Sequence, residues 1–367
     1  MTKRKPLLFF DPEHVDRPVP GRPWRAIVLG ALVATAFLTA GWEFFWRGKG
    51  LIPGDYRDTN AIWAEARRKA KDGATVIIGS SRSLFDIDLD VWEELSGVRP
   101  VQLAQVGTSP RIFLKDLAED ESFKGLVIVD VTAFLFFTGD GGPREEVVKY
   151  YREQTLAQRA DYFLSIPLEE TLAFMDEQSR PKRQVAIWPF PLREGMKPRF
   201  DPRKLETLDR DRNARMWARV VEDPLYLDEA KYHWRLVIEQ SAPPPGAPSG
   251  PMPPEAVGAV IAEVKANIDK IRARGGEVAF IRLPYDGMFS VAEDNGFPRA
   301  QFWDRLLRET ASVGVAFQDH PELQGYEIPE WSHLAPDETP RYTRALVPIF
   351  YAQLKGRNLP TFGAAPR

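Results

Sequence analysis

Five short segments dominated by β-branched and apolar residues recur along the chain, and segments with helical periodicity separate them. These segments are TVIIG at 75–79, RPVQLAQ at 99–105, GLVIVDV at 125–131, EVAFIRLP at 277–284 and VAFQD at 315–319. Strands that alternate with helices favour a parallel sheet that helices cover on both faces. We therefore predict an α/β fold, a three-layer doubly wound parallel sheet of about five strands.

An apolar stretch without charge runs from Ala26 to Trp42, which is about the minimum length that spans the core of a bilayer. Tryptophans flank it at positions 24, 42 and 46, as is typical of membrane interfaces. Residues 24–46 are therefore predicted to form a transmembrane helix. A cleaved signal peptide is the alternative, because Ala34-Thr35-Ala36 has the small-x-small form. A buried helix of a soluble protein is the other alternative.

The orientation of this anchor is predicted from the basic residues that flank it. Six basic residues precede Ala26, whereas Arg47 and Lys49 are the two that follow closely. The positive-inside rule then places the N-terminus in the cytoplasm. The expected location is the cytoplasmic (inner) membrane, with a single span and the main domain outside the cytoplasm.

Composition excludes several classes of site. The chain has no cysteine, so disulfides, thiolate nucleophiles and zinc sites built on cysteine are excluded. Its formal net charge of -3 argues against nucleic acid as a partner. We expect no cofactor and no metal.

A long segment without the strand–helix rhythm interrupts the predicted sheet and ends in a Pro-rich linker. We predict a disordered cytoplasmic tail at 1–23, the anchor at 24–46, the first part of the α/β domain at 47–138, a helical insertion with the linker at 139–254, the second part at 255–356 and a C-terminal tail at 357–367.

The carboxyl ends of the strands are where a doubly wound sheet binds ligands. Ser81 follows the first strand in GSSRS and is a candidate nucleophile. Such a serine needs a base, and histidine is the usual one. His333 stands three residues after Glu330, a spacing at which the carboxylate can bond Nδ1 while Nε2 faces the serine. The alternative is a surface loop at a helix entrance.

The other histidines are weaker candidates for the base. His14 lies on the opposite side of the membrane in the predicted topology, and His233 lies among helix-forming residues of the insertion. His320 directly follows the last strand, so it remains close enough to the same edge to be considered.

Three short blocks resemble the SGNH, or GDSL-like, hydrolases and their membrane-anchored relatives linked to cell-surface polysaccharide O-acylation. Gly79-Ser80-Ser81 resembles the block that presents the nucleophile, and the segment QVGTS at 105–109 resembles the block whose glycine donates to the oxyanion. The segment EWSHL at 330–334 resembles the block that carries the base. The resemblance implies a flavodoxin-like fold, Ser81 as nucleophile, His333 as base, Glu330 as its partner, and an oxyanion hole from the N–H groups of Ser81 and Gly107.

The chain departs from the family pattern at two positions. Glu330 stands where the family usually has aspartate. Asp130 stands where the third block has asparagine, and a carboxylate there would oppose a developing oxyanion unless it points elsewhere.

The resemblance implies an esterase or O-acyltransferase that acts on acyl, expected to be acetyl, esters of an envelope polysaccharide. Arg282 and Asp286 follow the fourth strand and are predicted to contact the substrate, with an ordinary surface ion pair as the alternative. A second hypothesis is a catalytically silent scaffold or glycan-binding component beside polysaccharide-assembly proteins. A third is a phosphate- or nucleotide-binding domain that uses the GSSRS turn, although it lacks the Gly-rich motifs of such domains.

Overall fold

The structure is a computed structural model, and it describes residues 21–139, 145–176, 204–241 and 250–355 together with positions 179, 181 and 357. Most of both predicted tails and of the Pro-rich linker lie outside these residues, as does His14. Contacts divide the chain into two units, residues 1–49 and residues 50–367.

The first unit contains the long helix α1, which spans Trp24–Arg47. Its 24 residues extend about 36 Å at 1.5 Å per residue, which exceeds the ~30 Å core of a bilayer. Within the described part of the chain, α1 is the helix that is long and apolar enough to cross a membrane. The predicted anchor at 24–46 is therefore helical throughout, while its orientation and compartment stay predictions.

The second unit is an α/β structure built on a parallel sheet. Its strands are β1 (Thr75–Ile78), β2 (Val101–Gln102), β3 (Leu126–Asp130), β4 (Glu206–Leu208), β5 (Ala214–Met216), β6 (Glu277–Arg282) and β7 (Gly314–Ala316). Five of them form one parallel sheet in the order β2-β1-β3-β6-β7. The predicted sheet of about five parallel strands is therefore confirmed.

Helices connect these strands along the chain. They are α2 (Asn60–Arg67), α3 (Ser81–Phe85), α4 (Leu89–Ser96), α5 (Arg111–Glu119), α6 (Ala133–Phe137), α7 (Glu146–Glu153), α8 (Leu156–Glu169), α9 (Arg219–Glu222), α10 (Pro224–Ser241), α11 (Pro254–Ala273), α12 (Gly287–Gly296), α13 (Trp303–Thr310) and α14 (Glu338–Gln353).

The sheet is buried on both faces because its central strands β1, β3 and β6 are apolar except at their ends, where residues such as Thr75, Asp130 and Arg282 stand. Along β3, Val127 and Val129 join a core with residues of α2, α5, α11 and α13. Leu126 and Ile128 of the same strand point to the opposite face and join a core with α4 and α14. This alternation follows from the two-residue period of a strand and produces three layers.

The insertion between β3 and α11 is not entirely helical. Its described residues include α7 to α10, as predicted, but β4 and β5 pair as an antiparallel hairpin. The buried Arg212, at the turn of this hairpin, pairs with Asp58 and donates to the carbonyls of Gln102 and Ala104 beside β2. Val147 of α7 belongs to the larger core. The hairpin and α7 are thus packed against the α/β core.

The parallel order brings the residues after β1, β2, β3 and β6 to one edge of the sheet. Sequence-adjacent strands β1 and β2 lie side by side, and the chain then crosses back to place β3 on the other side of β1. Such a reversal leaves a crevice at the carboxyl ends of the strands. Ser81, which follows β1, lies at this position.

Gly79, the last residue before this turn, lies against neighbouring side chains. A Cβ built there would lie 2.0 Å from the Ser83 hydroxyl oxygen and 2.7 Å from Asp130 Cβ. Only glycine leaves room for the carboxyl end of β3 to approach the turn.

We expect Gly79→Ala to destabilise the protein, since overpacking a rigid site costs about 1–3 kcal/mol. The measurement is thermal unfolding of the full chain in detergent, followed by circular dichroism, with a predicted drop of several degrees. Gly296→Ala is the matched control, because a Cβ at that helix end meets nothing within 4 Å. Equal unfolding temperatures for the two variants would contradict the packing argument.

Candidate functional site

Ser81 is the first residue of the short helix α3, directly after the turn that ends β1. The preceding residue, Ser80, caps this helix, and its hydroxyl accepts a hydrogen bond from the N–H of Arg82. Ser81 as a whole is 9% exposed, at the carboxyl edge of the sheet. Within the described residues its hydroxyl makes no hydrogen bond, which leaves it available to a substrate.

The loop after β2 runs beside this turn. The N–H of Gln105 donates to the carbonyl of Gly79 at 3.1 Å, which keeps the two chain segments adjacent beyond the ends of their strands. Gly107 then adopts a positive φ of 63° and is exposed. Neither Ser81 nor Gly107 donates its amide N–H to another described residue. Both amides are therefore free to bind an oxyanion.

Glu330 and His333 form a buried pair, as the sequence spacing predicts. The Oε1 atom of Glu330 accepts hydrogen bonds from the backbone N–H of His333 at 2.7 Å and from its Nδ1 at 2.8 Å. Glu330 is 0% exposed and His333 is 1% exposed. Because Nδ1 donates to the carboxylate, Nε2 is the nitrogen that can accept a proton. The extra methylene of glutamate is accommodated in this geometry.

The residue that follows Glu330 in this turn has an unusual backbone conformation. Trp331 has a positive φ of 75°, which is rare for a bulky side chain. Its ring lies over Gly287, where a built Cβ would come within 2.4 Å of the ring. This turn brings the Glu330 carboxylate back onto the amide of His333. Strain of this kind is common at functional sites.

Three contacts hold the Ser81 helix against the His333 loop. The Phe85 and His333 rings lie 4.5 Å apart between centroids. Asp86 Oδ1 accepts from the N–H of Leu334 at 2.9 Å, and the Thr339 hydroxyl donates to the carbonyl of Phe85 at 3.2 Å. Residues four apart share a helix face, so Ser81 lies on the face of α3 that carries Phe85.

The Nε2 atom of His333 is buried and has no hydrogen-bond partner among the described residues. It is therefore not bonded to the Ser81 hydroxyl in this structure. Catalytic hydrogen bonds are often long in unliganded proteins and shorten when the substrate binds.

The insertion contributes a side chain to this pair. The Nε1 atom of Trp234, on α10, donates to Oε2 of Glu330. Its ring also lies 6.0 Å from the His333 ring and packs edge-on against Phe289, with centroids 5.5 Å apart. No local pattern in the sequence signals this contact, because the two partners are 96 residues apart.

Asp130, which stands where the resemblance has asparagine, bonds to Ser80 and Thr132 rather than to the two free amides. Its Oδ2 atom accepts from the hydroxyls of Ser80 and Thr132, each at 3.4 Å, and it is 0% exposed. Burial raises the pKa of Asp130 to about 6, although Arg82 and the N–H of Ser80 act in the opposite direction. The carboxylate makes no hydrogen bond with the amides of Ser81 or Gly107 within the described residues.

Asp86 and Arg82 are further buried groups that the sequence did not single out. Burial raises the pKa of Asp86 well above its ordinary value, against the opposing effect of the Leu334 N–H. Arg82 pairs with Glu293 at 2.5 Å and stacks on Tyr285. Both follow Ser81 closely in the chain, and that proximity is the signal that could have identified them.

Arg282 and Asp286 do not pair with each other. Arg282 is 4% exposed, donates to the Tyr285 hydroxyl at 2.6 Å and pairs with Glu293 at 3.3 Å. Asp286 is exposed and caps α12 by accepting from the N–H of Gly287. A substrate contact for either stays a prediction; the ion pair that Arg282 forms is with Glu293 and is buried.

The remaining histidines lie elsewhere. His320 follows β7 and is half-buried beside a short 3-10 turn. His233 lies on α10 next to Tyr232, with ring centroids 6.2 Å apart. In the described part of the chain, no group of three or more acidic or histidine side chains is placed to hold a metal ion.

We expect the stability of Asp130→Asn to depend less on pH than that of the parent between about pH 4 and pH 6. Because the folded protein holds a proton at Asp130 that the unfolded chain has already released, parent stability falls as pH rises through this window. The stability that the parent loses at this site approaches about 3 kcal/mol above pH 6. The measurement is the free energy of unfolding of both full-length proteins at several pH values.

Asp72→Asn, in the exposed turn before β1, is the control for the loss of a surface carboxylate. If the free energies of unfolding of the parent and Asp130→Asn differ by a constant amount from about pH 4 to pH 7, the raised pKa of Asp130 is contradicted.

Comparison with models of known protein families found no match, and a search of curated protein sequences found no similar protein.

Proposed function

We propose that this protein is a membrane-anchored SGNH-like serine esterase or O-acyltransferase that acts on acyl esters of an envelope polysaccharide. The observation that carries the proposal is the buried Glu330–His333 pair, which has a free Nε2 and packs against the helix that begins at Ser81. The sheet order β2-β1-β3-β6-β7, with the three blocks at its carboxyl edge, supports the SGNH-like relationship.

The first half of the reaction transfers the acyl group to the protein. His333 Nε2 takes the proton of the Ser81 hydroxyl while the oxygen attacks the acyl carbonyl carbon. The N–H groups of Ser81 and Gly107 stabilise the resulting oxyanion. When the tetrahedral intermediate collapses, the bond to the alcohol oxygen breaks, and His333 returns its proton to that oxygen.

The second half releases the acyl group. His333 takes a proton from water or from a sugar hydroxyl, whose oxygen then attacks the acyl carbon of the acyl-serine. The bond from that carbon to Ser81 Oγ breaks, and His333 returns the proton to the serine oxygen. Water as the acceptor gives an esterase, and a sugar hydroxyl gives an O-acyltransferase. The polysaccharide substrate follows from the family resemblance and from the predicted anchor, and no cofactor is needed for either step.

The test is covalent labelling of Ser81. The full chain in detergent, treated with a fluorophosphonate, should gain one adduct by intact mass, and peptide mapping should place it on Ser81. Ser81→Ala and His333→Ala should abolish or strongly slow the reaction, by about three orders of magnitude or more, because nucleophile and base act as a unit. The same variants should lose hydrolysis of p-nitrophenyl acetate.

Ser83→Ala and His320→Ala are the matched controls and should label at the parent rate. Ser83 lies on the same helix, but its hydroxyl bonds to the carbonyl of Ser80. A folded parent that takes no adduct would contradict the proposed function and favour the catalytically silent scaffold. A His320→Ala variant as slow as His333→Ala would contradict the assignment of the base.

A further inference from the structure

Trp234 bonds to the oxygen of the Glu330 carboxylate that does not bond to His333. Glu330 Oε1 accepts both hydrogen bonds from His333, whereas Oε2 accepts from Trp234 Nε1. Glu330 is 0% exposed, so water does not replace a missing donor without rearrangement. A buried carboxylate oxygen without its donor is costly, and the side chain would turn to find another partner.

The indole ring also limits the movement of the imidazole. It lies between Phe289 of α12 and His333, with centroid separations of 5.5 Å and 6.0 Å. Phe85 contacts the His333 ring as well, with centroids 4.5 Å apart. The imidazole is thus packed by two aromatic side chains, one from the nucleophile helix and one from the insertion.

Two cationic side chains of α10 hold this helix on the turn that carries Glu330 and His333. Lys231 Nζ and the Arg235 guanidinium each lie 5.4 Å from the centroid of the Trp331 ring. These two residues are four apart and share a face of α10, and Lys231 is also three residues from Trp234, which places it beside the indole. The Trp331 ring is itself fixed over Gly287. Helix α10 therefore contacts both Glu330 and Trp331 in the turn that carries His333.

We infer that Trp234 is a positioning residue: the insertion completes the active site by orienting the Glu330 carboxylate, and through it the His333 imidazole. The expected effect of Trp234 on the reaction rate rests on the proposed function. Its effect on the orientation of the His333 imidazole does not. Without the indole N–H, Glu330 Oε2 lacks its donor, and the carboxylate holds Nδ1 less firmly. Nε2 then faces Ser81 in a smaller fraction of molecules.

The test compares Trp234→Phe with Tyr232→Phe in the full chain in detergent. Phenylalanine keeps an aromatic ring but removes the N–H. Tyr232 lies two residues away on α10, is 47% exposed and loses only a hydroxyl group. Two readouts are followed: the Nδ1–H resonance of His333 in protein labelled with ¹⁵N-histidine, and the second-order rate constant of fluorophosphonate labelling.

For Trp234→Phe we expect faster solvent exchange of the His333 Nδ1–H proton and labelling slowed by about 10- to 100-fold, the size expected for a hydrogen bond to a charged group. With p-nitrophenyl acetate the loss should appear in kcat rather than KM. Tyr232→Phe should match the parent in all readouts. A Trp234→Phe protein with the parent's Nδ1–H resonance and labelling rate would overturn the inference.

The two proposals fail in different ways. If the folded parent takes no adduct, the proposed function is wrong, and the Nδ1–H comparison alone then decides the role of Trp234. Loss of the parent resonance in Trp234→Phe, but not in Tyr232→Phe, supports positioning, and an unchanged resonance overturns it.

Discussion

The hydrogen bond between Glu330 and His333 is the interaction on which the functional account depends. A buried carboxylate is stable only when hydrogen bonds replace its lost hydration. Two of these bonds come from His333, so the pair satisfies Glu330 and fixes the imidazole at once. The same bond selects the tautomer in which Nε2 is free, which is the form that a serine nucleophile requires.

The fold brings the remaining parts to this pair. Because all five strands of the sheet are parallel, the segments that follow β1 and β2 emerge at one edge, with Ser81 and Gly107 in neighbouring turns. Helix α3 then carries the chain from Ser81 to Phe85, whose ring packs on His333. Asp130 fills the space under the turn, and Gly79 leaves room for it.

The sequence predicted the features that are local or periodic. The central strands could be recognised because they are apolar on both faces, and the Glu330–His333 pair because its partners are three residues apart. The hairpin of β4 and β5 was missed, because two strands of three residues each within a charged segment leave little periodicity to detect. The contact between Trp234 and Glu330 was also missed, since it depends on how α10 packs, which local spacing does not encode.

Whether Ser81 and His333 act as nucleophile and base can be decided from the distance between Ser81 Oγ and His333 Nε2. A crystal structure of the full chain should place these atoms within about 3.5 Å, or joined through one water, with His333 Nδ1 still bonded to Glu330. Ordered side chains separated by more than about 6 Å, or a Glu330 carboxylate turned away from His333, would contradict the account.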